Sequence, residues 1–329
     1  MSKKRTKSNP IFIVVIILLV LVLIFSSLML IDSIFAPQSS NASAENVSTS
    51  KTITRDGIDY YPRQDITVFL MLGIDEKGPV TSSESYNNTG EADMVSLIVF
   101  DEQDKTYDIV TLNRDTMLNM PILGIGGKPA GNSYAQLALA HTYGSGLEDS
   151  CENTKKTVSD LFLGLNIDYY VSMNMDAIAI LNDSVGGVTV NVTDDFSAVD
   201  SSIPMGEVTL RGEQALSFVQ TRKDVGDQLN ISRMERHKAY MESFMTSLGS
   251  KLNESDTFAL EAYESVSDYI VTDCSANTLS NVLNKYAEYT LDEIVSPEGE
   301  NVDTNTYMEF HLDKEKLDEL TLRLFYSKK

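Results

Sequence analysis

Arginines kept close together in an otherwise acidic chain are the first residues here that could do chemistry. A guanidinium fork grips two phosphate oxygens at once and stays charged at any physiological pH. Arg222-Lys223 precedes Arg233-Met234-Glu235-Arg236. Arg233 and Arg236 are three residues apart, so they share a face at the start of a helix, where backbone N–H groups also favour an anion. The same spacing suits a solvated cationic helix start paired with nearby acids. Asp75, Asp93 and the pair Arg114-Asp115 stand at the ends of strand-like apolar runs. Carboxylate oxygens placed there suit a magnesium ion bridging to phosphate, and each aspartate equally suits turn capping.

The elements that must position these groups are legible as runs. Ile66 to Ile74 is almost continuously apolar and predicts a buried central strand that delivers Asp75. Met94 to Phe100 and Tyr107 to Leu112 predict two more strands around the polar turn 101–105, the second delivering Asn113-Arg114-Asp115-Thr116. Helical periodicity follows at 135–143, 152–163, 176–184, 212–219 and 232–248, with strands at 169–173, 188–192 and 207–210 between. This alternation predicts an α/β fold whose helices cover a mixed sheet, with ligands bound at strand ends. The chain beyond Ser255 reads as further helix, clearest at 277–286 and 314–325. Tyr169-Tyr170 and His141 read first as packing residues.

Lys3, Lys4, Arg5 and Lys7 cap a charge-free apolar run from Ile11 to Ile31. A helix of that length spans roughly 30 Å of hydrocarbon, and the basic cap keeps the N-terminus cytoplasmic. The expected layout is a cytoplasmic segment 1–10, a transmembrane helix 11–31, an extracellular Ser/Asn/Thr-rich stalk 32–64, a catalytic domain 65–250 and a C-terminal helical extension 251–329. A cleaved signal peptide ending at Ala42-Ser43-Ala44 is the competing reading, and the length of the apolar run weighs against it. The formal charge of −22 disfavours a nucleic-acid partner. The two cysteines, Cys151 and Cys274, are either a disulfide or two buried thiols, and with three histidines they make a poor metal site.

Taken in order, Leu72-Gly73-Ile74-Asp75, Ala92-Asp93-Met94, Leu112-Asn113-Arg114-Asp115-Thr116, Ala140-His141-Thr142-Tyr143-Gly144, Ile167-Asp168-Tyr169-Tyr170, Val185-Gly186-Gly187-Val188, Gly212-Glu213-Gln214-Ala215-Leu216 and Arg233-Met234-Glu235-Arg236 resemble the LytR-CpsA-Psr family. These are membrane-anchored phosphotransferases of Gram-positive cell walls. The resemblance implies an α/β/α sandwich with a mixed central sheet that binds a polyprenyl-pyrophosphate-linked glycan in an apolar groove. It implies transfer of the glycan phosphate to a peptidoglycan hydroxyl, with polyprenyl phosphate leaving. By matching position it implies Asp75 and Asp93 as ligands of Mg²⁺ or Mn²⁺, and Arg114, Arg222 and Arg233 as the grip on pyrophosphate, with Arg236 and Gln220 at the same site. Arg114 and Asp115 would be catalytic, Asp115 either positioning the arginine or deprotonating the acceptor.

Three positions depart from the family pattern. Glu91 stands where an arginine is usual, Gln220 replaces the first arginine of an Arg-x-Arg pair, and His237 replaces a glutamine. If all these side chains face the site, the local charge shifts by about −3, at roughly 1.5–3 kcal/mol per lost charge-assisted hydrogen bond. Glu91 as an added metal ligand and Lys128 as a compensating cation are both open. So is a member that binds lipid-linked glycan or envelope partners without catalysis.

Overall fold

A computed structural model describes residues 52–84, 88–221, 223–226, 230–255, 258–274 and 289–328. The expected cytoplasmic segment, transmembrane helix and most of the stalk, together with the helical stretch 277–286, lie outside the described residues. Among the described residues no helix is long and apolar enough to cross a membrane.

Strand formation follows the apolar runs. β3 (Ile66–Ile74), β4 (Ala92–Asp101) and β5 (Thr106–Leu112) form an antiparallel meander. β8 (Tyr169–Asn174) joins it parallel to β3. β11 (Ile270–Thr272) pairs antiparallel with β8 on one edge, and β12 (Thr290–Val295) pairs parallel with β5 on the other. The result is a six-stranded mixed sheet in the order β11-β8-β3-β4-β5-β12. Asp168 helps set the register of β8, because its carboxylate accepts from Val68 N at 2.8 Å while its own N–H donates to Val68 O at 2.9 Å.

The side-chain period of two sends alternate residues of β3 to opposite faces. Phe69 and Met71 pack in one core with helices α2 (Asp176–Ser184), α3 (Glu213–Gln220) and α4 (Asn230–Glu254). Val68, Leu70 and Leu72 pack in the other with α1 (Glu148–Leu161) and the C-terminal helix Lys314–Phe325. Fully buried rings anchor both layers: Phe69 lies edge-on to Phe100 at 5.9 Å, and Phe162 edge-on to Phe325 at 5.2 Å. Each contributes roughly 1.5–3 kcal/mol of burial. Tyr169 stacks on Phe69 at 4.9 Å and Tyr170 is buried, as packing residues.

Three expectations are corrected. The stretch 135–143 is not one helix: β7 (Pro129–Gln136) pairs antiparallel with β6 (Met117–Leu123), and only Leu137–Ala140 makes a 3₁₀ turn. Pairing with β6 takes Ala135 and Gln136 into the strand, which leaves the Ala- and Leu-rich residues that follow a single 3₁₀ turn. Compact structure begins before Asp65, because β1 (Ile53–Arg55) and β2 (Ile58–Pro62) form a hairpin closed by β15 (Tyr326–Lys328). The C-terminal segment is only partly helical. It supplies β11 and β12 to the two edges of the central sheet and forms a hairpin of β13 (Gly299–Asp303) and β14 (Met308–Leu312). Cys151 and Cys274 are buried thiols not joined to each other, and burial pushes Cys151 up and Cys274 to about 12.

Candidate active site

The catalytic candidates converge because three loops leave one end of the meander together. β3 ends at the exposed Asp75, whose backbone N–H donates to Glu91 O at 2.8 Å, so the chain entering β4 runs beside it. Gly90, just upstream, is held by His141, whose buried ring lies 2.8 Å from Gly90 O through Nδ1. Burial lowers the His141 pKa, so the neutral ring donates this bond. β5 ends in a tight turn fixed by its own side chains: Asn113 Oδ1 accepts from Asp115 N at 3.0 Å, and Thr116 Oγ1 donates to Asn113 O at 2.6 Å. That turn projects Arg114 and Asp115 towards the start of β4.

Arg114 sits among three carboxylates. Its Nη2 is ion-paired with Glu91, its Nη1 with Asp93 Oδ1, and its Nε lies 3.6 Å from Asp115 Oδ1. Arg233, from the first turn of α4, reaches Asp93 from the other side, Nη1 to Oδ2 at 2.7 Å. Asp93 therefore ties two guanidiniums together inside the protein, where the pair is screened far less than at the surface. Asp115 is 1% exposed, and its Oδ1 accepts from Gln136 Nε2 at 3.0 Å. The same amide donates to Met308 O at 2.8 Å, which couples Asp115 to the β13–β14 hairpin. Gln136 carries no motif signal, and only the pairing of β6 with β7 brings it here.

The polar cluster borders an apolar groove through Asp93 and Arg233. The walls are Met71, Met94, Met173, Ile178, Met241 and Phe244, while Asp93, Arg233, Gln220 and His237 form the polar end. Gly73 forms part of the wall: a Cβ there would stand 3.1 Å from Met94 Cβ, so a larger residue would have to push Met94 aside by a few tenths of an ångström. Sequence reasoning had not assigned these methionines. Their signal was compositional, a long flexible side chain recurring in β3, β4, β8 and α4. His237 donates through Nε2 to Val219 O at 2.7 Å, and burial, helped by Arg233, pushes its pKa down to about 3. It adds no positive charge to the groove.

The structure separates the remaining candidates. Gln220 lies at the site, its Nε2 donating to Asp75 Oδ1 at 3.0 Å. Arg236 points away from the groove, with Nε to Phe218 O at 3.0 Å, Nη1 to Asp194 Oδ2 at 2.7 Å and Nη2 to Thr221 O. Its guanidinium covers the Phe196 ring at 5.5 Å. It fastens α4 to the end of α3, and the expected pyrophosphate contact is replaced by these internal ones. Arg222 lies outside the described residues. Lys128 sits in the β6–β7 loop, its carbonyl accepting from Gly124 N at 2.8 Å.

No group of three or more His, Cys, Asp or Glu among the described residues is arranged to hold a metal ion alone. Asp75 and Asp93 are hard donors of the kind and number magnesium takes when phosphate oxygens and water complete its shell. Asp75 is exposed and engaged by one amide, whereas both oxygens of Asp93 face guanidiniums. The donor set suits magnesium as a partner of bound phosphate rather than as a preformed cage.

A sequence profile of the LytR_cpsA_psr family matches residues 33–325. The polyisoprenyl-teichoic acid–peptidoglycan teichoic acid transferase TagU of Bacillus licheniformis is 24% identical over 282 residues, 85% of this chain and 83% of that protein. Its namesake in Bacillus subtilis is 26% identical over 239 residues, 73% and 70% of the two chains. Among solved structures, TagT bound to LI-WTA superposes with a TM-score of 0.61 at 22% identity, covering 84% of this chain and 94% of that one. That structural likeness speaks to the fold: a mixed sheet with helices on both faces.

Proposed function

This chain belongs to the LytR_cpsA_psr family, and from that premise we propose that it is an extracellular phosphotransferase that attaches a polyprenyl-pyrophosphate-linked glycopolymer to peptidoglycan. One observation carries the reading: an apolar, methionine-lined groove has Asp93 and Arg233 in its wall, and Asp93 is in turn ion-paired with Arg114. A lipid seated by its tail would bring its pyrophosphate to the guanidiniums. Curated relatives named as teichoic acid transferases support the same chemistry.

In this reading the acceptor hydroxyl attacks the phosphorus bearing the glycan. A P–O bond to the acceptor forms as the bridging P–O bond breaks, and polyprenyl phosphate leaves with the electron pair. Arg114 and Arg233 hold the pyrophosphate oxygens, with Arg222 a further candidate from sequence. Positioning and charge neutralisation dominate phosphoryl transfer. Asp115, hydrogen-bonded to Gln136 beside Arg114, orients the arginine or takes the acceptor proton. Asp75 and Asp93 would hold Mg²⁺ or Mn²⁺ with the pyrophosphate, the ion supplying charge neutralisation. The run Ile11–Ile31 would anchor the chain in the cell membrane with this domain outside.

Prenyl phosphate release from a polyprenyl-pyrophosphate-linked glycan by the full-length chain in detergent, beside Arg114→Ala and Asp75→Ala, tests the proposal. Turnover lost in both variants supports it. A second reading, a non-catalytic member that binds the lipid-linked glycan, is favoured by the Glu91 carboxylate held on Arg114. Substrate binding without turnover would select that one.

A further inference from the structure

Arg114 is offered to a phosphate by the fold, yet one of its faces is already taken by an anion of the protein itself. Glu91 reaches Nη2 of Arg114 with Oε2, in the geometry a phosphate oxygen would use. Asp93 and Asp115 flank the other nitrogens and are buried, at 8% and 1% side-chain exposure. Glu91 differs from them: its side chain is 37% exposed while that of Arg114 is 13% exposed. It is therefore the one carboxylate of the three that can swing into water without leaving a buried charge behind. Its backbone is held where it stands, since its carbonyl accepts from Asp75 N and the preceding Gly90 carbonyl is fixed by His141. Only the side chain needs to move.

The charge count sharpens the point. Among the described residues, Glu91, Asp93 and Asp115 face Arg114 and Arg233, an excess of one carboxylate over guanidiniums. A phosphate arriving against that excess must first release Glu91 from Arg114.

Resting on the functional reading above, we propose that Glu91 is an internal competitor for the phosphate seat of Arg114, one that raises the affinity any anion must have to occupy it. Free phosphate and pyrophosphate meet the seat at bulk concentration and fail to displace a tethered carboxylate. A pyrophosphate whose prenyl tail is already in the groove meets it at a local concentration on the order of millimolar or above, and displaces it. The competitor thus sets the threshold for occupying the seat, alike for every anion, while the apolar groove supplies the preference for a lipid-linked one.

The test is calorimetric titration of the full-length chain in detergent, with chelator present, using geranyl pyrophosphate and inorganic pyrophosphate as probes. Glu91→Gln keeps the shape and removes the charge, and Glu91→Ala serves as a second variant. Both are expected to bind both probes about tenfold or more tightly, by the same factor, because the competitor acts on the seat that the probes share. Adding Arg114→Ala to Glu91→Gln is expected to abolish the gain. Geranyl pyrophosphate bound equally by wild type and both variants overturns the proposal and leaves the functional reading standing. Weaker binding by Glu91→Gln, as when Glu91 holds a cation that the phosphate needs, also overturns it. Binding of neither probe to any variant overturns the proposal and the functional reading together.

Discussion

Replacing Arg236 with lysine should destabilise the protein and leave ligand binding intact. In the structure the guanidinium makes three bonds at once, to Phe218 O, Asp194 Oδ2 and Thr221 O, and lies over the Phe196 ring. The ammonium of Arg236→Lys can keep one of the three. Two main-chain carbonyls at the end of α3 then lose a charged donor, at about 1–3 kcal/mol each if water does not replace it. The ammonium keeps Asp194, and Thr221 is partly exposed so that water replaces part of its bond, which brings the net loss to about 2–3 kcal/mol. For a domain of this size that lowers Tm by roughly 5–10 °C. The alanine variant is less useful, because breaking a buried pair costs about 3–5 kcal/mol, a large part of a typical total stability. Differential scanning calorimetry gives the first number, and titration with geranyl pyrophosphate well below Tm gives the second. Affinity within about twofold of wild type is expected. An unchanged Tm with affinity lowered tenfold would refute the structural role and return Arg236 to the phosphate site.

The other expectations concern titration, the groove and the thiols. Burial, together with Glu293 and Asp292, raises the Asp108 pKa to about 6. A raised acid binds more protons in the native state, so stability falls as pH rises from about 4 through 6 and stays reduced above. Asp108→Asn should accordingly raise the unfolding free energy from urea titration at pH 7.5 by about 1 kcal/mol, after discounting for the partial exposure of the carboxyl, and confer no gain at pH 4. Met241→Trp, which fills the groove from α4, should weaken binding of a long prenyl pyrophosphate at least tenfold while inorganic pyrophosphate binds as before, measured by titration; equal losses for both would show that the lipid lies elsewhere. Cys151 and Cys274 should each take up one alkylating group in denaturant without reductant, and neither should react readily in the native protein, as intact mass would report.

The central layer was legible because it is written in local pattern. Ile66–Ile74, Tyr107–Leu112, Asp176–Ser184 and Val188–Val192 each carry a period or an apolar run that decides the element without help from distant residues. The placement of the candidate site residues followed, since Asp75, Asp93, Arg114 and Asp115 stand where those strands begin or end. What was hidden depends on pairing across the chain. β7 forms because β6 is beside it, the Ile53–Pro62 hairpin because Tyr326–Lys328 closes it, and the sheet edges because residues 270–272 and 290–295 return to β8 and β5. Such segments are short and weakly patterned, and their stability comes from a partner far along the chain.

The chemistry divides along the same line. Residue type and strand-end placement in the sequence determined that guanidiniums and hard carboxylates would meet outside the sheet. Tertiary structure alone decided which arginine faces the groove and which faces the protein. Arg233 and Arg236 lie one helical turn apart, yet one reaches Asp93 at the groove and the other is consumed by Phe218, Asp194 and Thr221. It also decided that Glu91 would close on Arg114. The reason is physical: an ion pair depends on distance and burial, and neither is a property of the chain until β3, β4, β5 and α4 have packed.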